Sequence, residues 1–233
     1  MTSKNEKDVL TSGFSSEWEQ KYAQRTHLSI WPWSDLVSYT VRYAKPVEDF
    51  STVLELGCGA GANIPFFLDR GNEYYAVDGS PSIVKRLIER FPHLADRIVC
   101  GDFTRAIPFA TRFDLVVDRG SLTCNDTAGI RQCLSLVCEK MRDGGVLIGI
   151  DWFSSDHSDA SKGVAVDSHT RKDLQSTLFE GIGNAHFTDR AHLSDLLGVA
   201  GFEITVLEKK ASEMLVGGNG LIRDAFNFVA VKK

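Results

Sequence analysis

The sequence lacks the patterns that mark several common classes of protein. No apolar stretch reaches the roughly 18 residues that a membrane span requires. The first ten residues are polar and lack the apolar centre of a secretory signal. No run of Lys or Arg is present, and the net charge is −5, which disfavours nucleic acid as a partner. We therefore expect a cytoplasmic protein without a membrane span.

Cysteine is sparse and irregularly placed. None of the five cysteines belongs to a CxxC pair, and their number is odd. This pattern argues against a zinc site and against a framework of disulfides. We expect reduced thiols and no bound metal. The hydrophobic share of 43% is typical of a globular protein with a buried core.

Strand-like and helix-like segments alternate from about residue 50 onward. Five short apolar runs follow one another, namely "STVLELG", "NEYYAVDG", "DRIVCGD", "RFDLVVDRG" and "GGVLIGIDWF". Between them, apolar residues recur at helical spacing, as at Ile83, Leu87 and Phe91. The alternation predicts a parallel α/β sheet with helices on both faces. Two later runs, "EITVLEKK" and "DAFNFVAVKK", flank the turn-forming "VGGNG" and predict an antiparallel hairpin.

Residues 1–48 precede this alternation and are predicted to form a helical cover. We expect a frayed beginning followed by two helices, which separate at the Trp-Pro-Trp sequence of residues 31–33. Ser34 or Asp35 is the expected cap of the second helix, because both residue types favour that position.

Residues 49–233 are predicted to form the main domain, with a lid inserted at residues 152–186. A segment of this length inside a compact domain is often a lid or a binding loop. We expect a helix within it at residues 171–179. His186 is a candidate cap for the helix that follows, which should end near Gly201.

The segment "VLELGCGAGANIPFF" places Gly57, Gly59 and Gly61 directly after the first strand. A glycine-rich turn between strand and helix allows positive φ and lets a ligand approach the backbone. Taken alone, it fits a plain tight turn or, with a small residue at position 62, a dinucleotide fingerprint. Acids near the carboxyl ends of the first three strands favour a nucleoside ligand, since Asp78 lies 21 residues after Gly57, as a ribose-binding acid does.

The combination resembles a class I S-adenosylmethionine-dependent methyltransferase over residues 50–233. "LELGCGAG", "YAVDGS" and "CGDF" are similar to the family's first three motifs, and "FDLVVDRGSL" and "GGVLIGID" to its fourth and fifth strands. The resemblance implies a Rossmann-like, seven-stranded mixed sheet in the order 3-2-1-4-5-7-6, with strand 7 antiparallel. A dehydrogenase is less expected, because the helical extension and the final hairpin have no role in that class.

The resemblance also implies S-adenosylmethionine as cofactor. Glu55, Gly57 and Gly59 would serve the methionine part, Glu55 either directly or by orienting the loop. Asp78 would hold the ribose, and Asp102 with Phe103 the adenine. The predicted cofactor-binding residues are Glu55, Gly57, Cys58, Gly59, Gly61, Asn63, Asp78, Gly79, Ser80, Asp102, Phe103 and Asp118, the last facing the sulfonium.

The acceptor is predicted from what surrounds the fourth and fifth strands. The Asn/Asp-Pro-Pro-aromatic motif of nucleobase methyltransferases and the paired glutamates of arginine methyltransferases are missing, which favours a small, saccharide-like acceptor. A hydroxyl acceptor needs a base, for which His157 and Asp151 are the candidates, although His157 also fits an exposed loop. The predicted acceptor-binding residues are Trp33, Arg119, Ser121, Asn125 and His169. An amine or carboxylate acceptor, and a cofactor-binding protein without catalysis, remain alternatives.

Overall fold

The structure, a computed structural model, describes residues 16–23, 28–44, 51–175, 178–217 and 220–233. The predicted frayed beginning lies outside these residues. The strands are β1 (Thr52–Leu56), β2 (Glu73–Asp78), β3 (Ile98–Cys100), β4 (Phe113–Arg119), β5 (Met141–Phe153), β6 (Val164–Ala165), β7 (Thr170–Lys172), β8 (Ala185–His186), β9 (Phe202–Glu213) and β10 (Ile222–Lys232). The helices are α1 (Ser16–Ala23), α2 (Ser34–Tyr43), α3 (Ile64–Asp69), α4 (Pro81–Arg90), α5 (Thr127–Lys140) and α6 (Arg190–Val199).

The large sheet has the strand order β3-β2-β1-β4-β5-β10-β9. Neighbouring strands from β3 to β5 are parallel, whereas β10 runs antiparallel to both β5 and β9. Because β6, β7 and β8 belong to a separate sheet, β9 and β10 are the sixth and seventh strands of the large sheet. The predicted order and the predicted antiparallel last strand are therefore confirmed. Every residue of β1 is buried, as expected for a central strand covered on both faces.

Two apolar cores cover the two faces of this sheet. One contains Trp152 and Phe228 together with α5 and α6, and the other contains Phe67 and Tyr74 together with α2, α3 and α4. The predicted apolar stripe of α4 is buried at Ile83 and Leu87. Burying one such side chain contributes about 1.5–3 kcal/mol to the free energy of unfolding. The apolar faces of the helices therefore determine how the helices pack on the sheet.

Three predictions about local structure are wrong. Neither Ser34 nor Asp35 caps α2, because its N-cap is Trp33, without a side-chain cap; Asp35 instead accepts from Lys210 Nζ at 2.9 Å. Asp189, rather than His186, caps α6 by accepting from the backbone N–H of residue 192 at 2.8 Å. The described part of residues 171–179 contains the end of β7 and no helix.

A small antiparallel sheet, β6-β7-β8, takes the place of that predicted helix. Thr170 on β7 and His186 on β8 meet side by side, with Oγ1 and Nδ1 2.9 Å apart. Phe179 and Phe187 form a separate apolar cluster with the ring of Phe153, at the end of β5. The segment after β5 is thus packed against the carboxyl edge of the large sheet.

Candidate active site

The glycine loop after β1 is shaped by two close contacts. Gly57 and Gly59 have positive φ values of 63° and 49°. A Cβ atom on Gly57 would lie 2.4 Å from Ser121 Cβ, and one on Gly59 would lie 3.0 Å from the Tyr22 hydroxyl. The bare backbone therefore lets the turn after β4 and helix α1 approach the loop.

Gly61 has a different function from its two neighbours. A Cβ atom there would lie 2.6 Å from Leu87 Cδ2 and 2.9 Å from Ile64 Cδ1. Its missing side chain makes room for α3 and α4 to pack on each other, and Gly61 is not among the residues that line the cavity described below.

Asp78, at the end of β2, fixes the conformation of the glycine loop. It is 3% exposed, and its carboxylate accepts from the backbone N–H of Gly59 at 2.8 Å and of Ser80 at 2.9 Å. Burial is the main reason why the pKa of Asp78 rises to about 6, against the two hydrogen bonds that lower it. Ser80 is itself buried and caps α4.

Glu55, inside β1, contacts the glycine loop through the side chain of Asn63. Its two oxygens accept from Asn63 Nδ2 at 2.7 Å and from the Tyr74 hydroxyl at 2.6 Å. Burial raises the pKa of Glu55 to about 7. Asn63 Oδ1 in turn accepts from the backbone N–H of Trp33 at 3.1 Å. Of the two predicted modes, this geometry supports orientation of the loop.

Asp102 and Phe103 follow β3 on the other side of the loop. Asp102 Oδ1 accepts from the backbone N–H of Thr104 at 2.9 Å and from its hydroxyl at 2.6 Å, and Arg105 Nε lies 3.3 Å from the other oxygen. Phe103 is 8% exposed. Its ring edge lies 3.7 Å from the position of a Cβ on Gly57.

Asp118 does not face the space in front of the glycine loop. It is fully buried and is absent from the cavity lining. One oxygen accepts from Ser121 and Leu122, and the other accepts from Trp152 Nε1 at 2.7 Å. Asp118 therefore holds the turn after β4, and through Ser121 it supports the glycine loop from behind.

A cavity of about 1170 Å³ opens above the carboxyl edge of the sheet. We call the part next to Gly57, Gly59 and Asp78 its glycine-loop end, and the part next to residues 209–212 and 223–225 of β9 and β10 its hairpin end. Small-molecule sites commonly measure about 300–1,000 Å³, so this cavity has room for a nucleoside and a second small molecule.

Most of the predicted site residues meet in this cavity. Those that line it are Trp33, Glu55, Gly57, Cys58, Gly59, Asn63, Asp78, Gly79, Asp102, Phe103, Arg119, Ser121, Asn125, Asp151 and His157. Those that do not are Gly61, Ser80, Asp118 and His169.

Arg119 and Asp151 form an ion pair between the two ends of the cavity. Arg119 Nη2 lies 2.7 Å from Asp151 Oδ2, and its guanidinium lies 3.6 Å from the centre of the Trp33 ring. Arg119 Nε is buried and has no hydrogen-bond partner within the described ranges. The arginine side chain is thus part of the site, and one of its donors has no protein acceptor.

Asp151 has an unusual backbone conformation. Its φ is 58°, a left-handed value that costs about 1–2 kcal/mol in a residue with a side chain. A β-bulge opposite Asn227 produces it, and Asn227 Oδ1 accepts from the Asp151 N–H at 2.9 Å. Bulges and strained residues of this kind concentrate at functional sites.

His157 is buried and lies in the cavity wall. It is 4% exposed and packs against Phe153, Phe179 and Phe187, so the exposed-loop alternative is wrong. Nδ1 accepts from the backbone N–H of Asp159 at 3.1 Å. Burial is the main cause of its lowered pKa, so the ring is neutral and Nε2 carries the proton. This tautomer offers a donor at Nε2, which argues against His157 as a general base.

His169 belongs to a separate group of histidines. Its ring stacks on His192 at 3.6 Å between centroids, and His186 lies beside both. No cluster among the described residues has an arrangement that could hold a metal ion. The placement of His169 gives no support to a role in binding the acceptor.

Residues far along the chain contribute a part of the site that the sequence did not predict. Asp224 on β10 is 5% exposed and lines the cavity, and its Oδ2 lies 3.4 Å from Lys209 Nζ. Lys209 also pairs with Asp156, which lies outside this cavity. The acid at the beginning of the apolar run "DAFNFVAV" was a usable signal, because a carboxylate is costly to bury in a strand unless it has a partner or a ligand.

Comparison with known proteins agrees with this geometry. Residues 53–145 match the family described as a methyltransferase domain. No curated protein matches the sequence. Among solved structures, a SAM-dependent methyltransferase from Methanosarcina mazei is 16% identical, with 87% of this chain and 98% of that chain covered and a TM-score of 0.64. CalS10, an amino pentose methyltransferase from Micromonospora echinaspora, is 19% identical, with 93% and 96% covered and a TM-score of 0.60.

A third solved structure has a similar fold but is described as a different kind of enzyme. A protein from Rhodobacter sphaeroides, provisionally described as a zinc-dependent alcohol dehydrogenase, is 17% identical, with 94% and 98% covered and a TM-score of 0.65. Likeness at these identities shows the fold alone. Residues 53–145 carry a methyltransferase domain, and the sheet order is the one that the resemblance to class I S-adenosylmethionine-dependent methyltransferases predicts. The matched segment runs from β1 to the beginning of β5, and the same sheet continues through β10 and β9.

The glycine-loop end suits the cofactor of this class. It offers bare backbone at Gly57 and Gly59, a buried acid at Asp78 and an aromatic edge at Phe103. Within the described ranges, no helix is long and apolar enough to cross a membrane.

Proposed function

We propose that this enzyme methylates a hydroxyl group of a small, saccharide-like acceptor. The observation that carries the proposal is the cavity itself, which continues past the glycine loop to a second, polar end. The ion pair of Arg119 and Asp151 lies between the two ends. An acceptor at the hairpin end would therefore meet these two side chains next to the cofactor.

S-adenosylmethionine, when bound, supplies an electrophilic methyl group. We assign its ribose to Asp78, its adenine to Asp102 and Phe103, and its methionine part to the backbone of Gly57 and Gly59. Glu55 keeps the loop in place through Asn63. Helix α1 contributes Trp18 and Tyr22 to the same end, in keeping with the predicted helical cover.

Methyl transfer depends chiefly on alignment and on the exclusion of water. Alignment of two reactants can lower a barrier by roughly 7–11 kcal/mol. We assign this role to Arg119, whose Nε donates to an acceptor oxygen, and to Trp33, which packs on the guanidinium. Asp151 takes up the hydroxyl proton, because its carboxylate lies in the same part of the cavity.

The saccharide class has two supports. Polar side chains and aromatic rings line the hairpin end together, as in sites that bind molecules with both polar and apolar faces. The structural neighbour CalS10 is an amino pentose methyltransferase, which makes a sugar-like acceptor a sensible first test. The segment that packs against Phe153, within the predicted lid at residues 152–186, adds Phe179 and Ile182 to the lining of the cavity.

The product identifies the reaction. The protein is incubated with S-adenosylmethionine labelled with ¹³C in the methyl group and with a panel of monosaccharides and nucleotide sugars. S-adenosylhomocysteine is quantified by chromatography, and the labelled methyl group is assigned by NMR. We expect an O-methyl ether. An N-methyl amine or a methyl ester as the product would contradict the proposal.

A matched pair of variants tests the assigned residues. Arg119 and Asp151 are 2.7 Å apart in the cavity, and Arg131 and Asp195 are 2.7 Å apart on the surface. Arg119→Lys should lower turnover about tenfold or more, since lysine lacks the planar, stackable group. Arg131→Lys should leave turnover unchanged. Equal turnover in the two variants would remove Arg119 from the mechanism.

A further inference from the structure

We propose that His157 and Asp224 recognise hydroxyl groups of the acceptor, so that the acceptor carries at least one hydroxyl besides the one that is methylated. This inference rests on the proposed function. It concerns the hairpin end of the cavity. Asn227 is hydrogen-bonded to Asp151, and Asp224 lies three residues before Asn227, so Asp224 lies about 10 Å further along β10.

His157 presents a hydrogen-bond donor that no described residue uses. Its Nδ1 is occupied as an acceptor by the backbone N–H of Asp159. The carboxylate of Asp159 is 3.9 Å from the same nitrogen, too far for a hydrogen bond. Nε2 therefore carries the ring proton, is buried and has no protein partner. A buried donor without a partner costs about 1–3 kcal/mol, which a ligand oxygen would recover.

Asp224 presents the complementary acceptor. Its Oδ2 faces Lys209 at 3.4 Å, whereas Oδ1 is buried and has no hydrogen-bond partner within the described ranges. Both Asp224 and His157 line the same cavity, and the charge of Asp224 acts on the His157 ring. The wall of the cavity thus contains a donor, His157 Nε2–H, and an acceptor, Asp224 Oδ1, without partners among the described residues.

Only some chemical groups satisfy both atoms. A hydroxyl group can serve either atom, because it can accept from Nε2–H and can donate to Oδ1. An ammonium group has no lone pair for Nε2–H. A carboxylate or a deprotonated phosphate has no proton to donate to Oδ1. Lys209 also neutralises the charge of Asp224, which weakens any attraction for an amine. Hydroxyl groups are therefore the ligands that this wall fits.

Three probes of equal ring size separate these classes. myo-Inositol, cyclohexylamine and cyclohexanecarboxylate are titrated into the protein in the presence of S-adenosylhomocysteine, and their dissociation constants are measured by saturation-transfer NMR. The ¹⁵N resonance of His157 Nε2 is followed in the same samples. We expect myo-inositol to bind at least about tenfold more tightly than the other two and to shift that resonance, as one added hydrogen bond to a buried group would do.

Matched variants link the binding to these residues. Asp224→Asn and Asp156→Asn each remove one carboxylate partner of Lys209, but only Asp224 lines the cavity. His157→Phe keeps an aromatic ring among the neighbouring phenylalanines and removes the donor. We expect Asp224→Asn and His157→Phe to weaken binding of myo-inositol about tenfold and Asp156→Asn to leave it unchanged, with melting temperatures confirming that each variant is folded.

Several outcomes would overturn the inference. These are tighter binding of the amine or the carboxylate, binding of none of the probes, or equal binding of myo-inositol by folded Asp224→Asn and Asp156→Asn. Affinity for S-adenosylhomocysteine and the position of the transferred methyl are measured separately. A protein that binds S-adenosylhomocysteine and forms an O-methyl product while failing these probe tests would leave the proposed function standing.

Discussion

Replacing Gly57 by alanine tests the central packing contact of the glycine loop. The new Cβ would lie 2.4 Å from Ser121 Cβ and 2.8 Å from Ser121 Oγ. A rotation of the serine side chain cannot relieve the first contact, because a Cβ moves only with the backbone. Ser121 Oγ is also held by the Leu56 carbonyl at 2.7 Å and by Asp118, so the turn after β4 would have to shift.

Gly71→Ala provides the control for the cost of placing a side chain on a residue with positive φ. Gly71 has a φ of 74°, similar to the 63° of Gly57, but a Cβ there would meet nothing within 4 Å. Both variants carry the cost of a left-handed residue, about 1–2 kcal/mol. Only Gly57→Ala adds the cost of overpacking, about 1–3 kcal/mol. At 2–4 °C per kcal/mol for a chain of this size, its melting temperature should lie roughly 2–12 °C below that of Gly71→Ala.

Calorimetry and ligand titration check both parts of this reasoning. Differential scanning calorimetry gives the two melting temperatures, and isothermal titration gives the affinity for S-adenosylhomocysteine. We expect Gly57→Ala to bind this ligand at least about tenfold more weakly, and Gly71→Ala to bind it like the wild type. If the two variants matched in stability and in affinity, the contact between the loop and Ser121 would not constrain the site.

Three other predictions concern acids of the site. Glu55 has its pKa raised to about 7, so its contribution to stability is full below about pH 4.5 and is lost as the pH rises through 7. The melting temperature of Glu55→Gln minus that of the wild type should therefore increase from pH 4.5 to pH 8. A difference that does not change with pH would contradict the raised pKa of Glu55. Asp78→Asn should bind S-adenosylhomocysteine about tenfold or more weakly by isothermal titration, because the loop amides lose a charged acceptor; unchanged affinity would rule out this role. Asp151→Gly should be about 1 kcal/mol more stable than Asp151→Ala in denaturant unfolding, since only glycine adopts its φ without strain, and both should lose turnover; equal stability would argue against strain.

The glycine-loop end of the cavity was largely predictable because it depends on local sequence. A parallel strand that ends in glycine or an acid places that residue at the carboxyl edge of the sheet. Gly57, Asp78 and Asp102 therefore reached the cavity as expected. Asp118 did not, because the direction of a side chain at a strand end depends on the following turn, which here folds back onto the carboxylate.

The hairpin end of the cavity depends on contacts between distant residues. Strands β6 and β8 have two residues each, too few to leave a periodic pattern, and their pairing with β7 is tertiary. Asp224 reaches the site only because β10 pairs with β5 through a bulge. The tautomer of His157 likewise depends on one backbone N–H, that of Asp159. No spacing rule predicts such contacts.

The position of β10 has a consequence for how the protein forms during synthesis. β9 precedes β10 in the chain, yet it joins the large sheet only through β10. A nascent chain that has left the ribosome as far as β9 can assemble β1 to β5 and the glycine loop, but the edge of β5 stays unpaired. The hairpin end of the cavity, where we propose that the acceptor binds, therefore forms last.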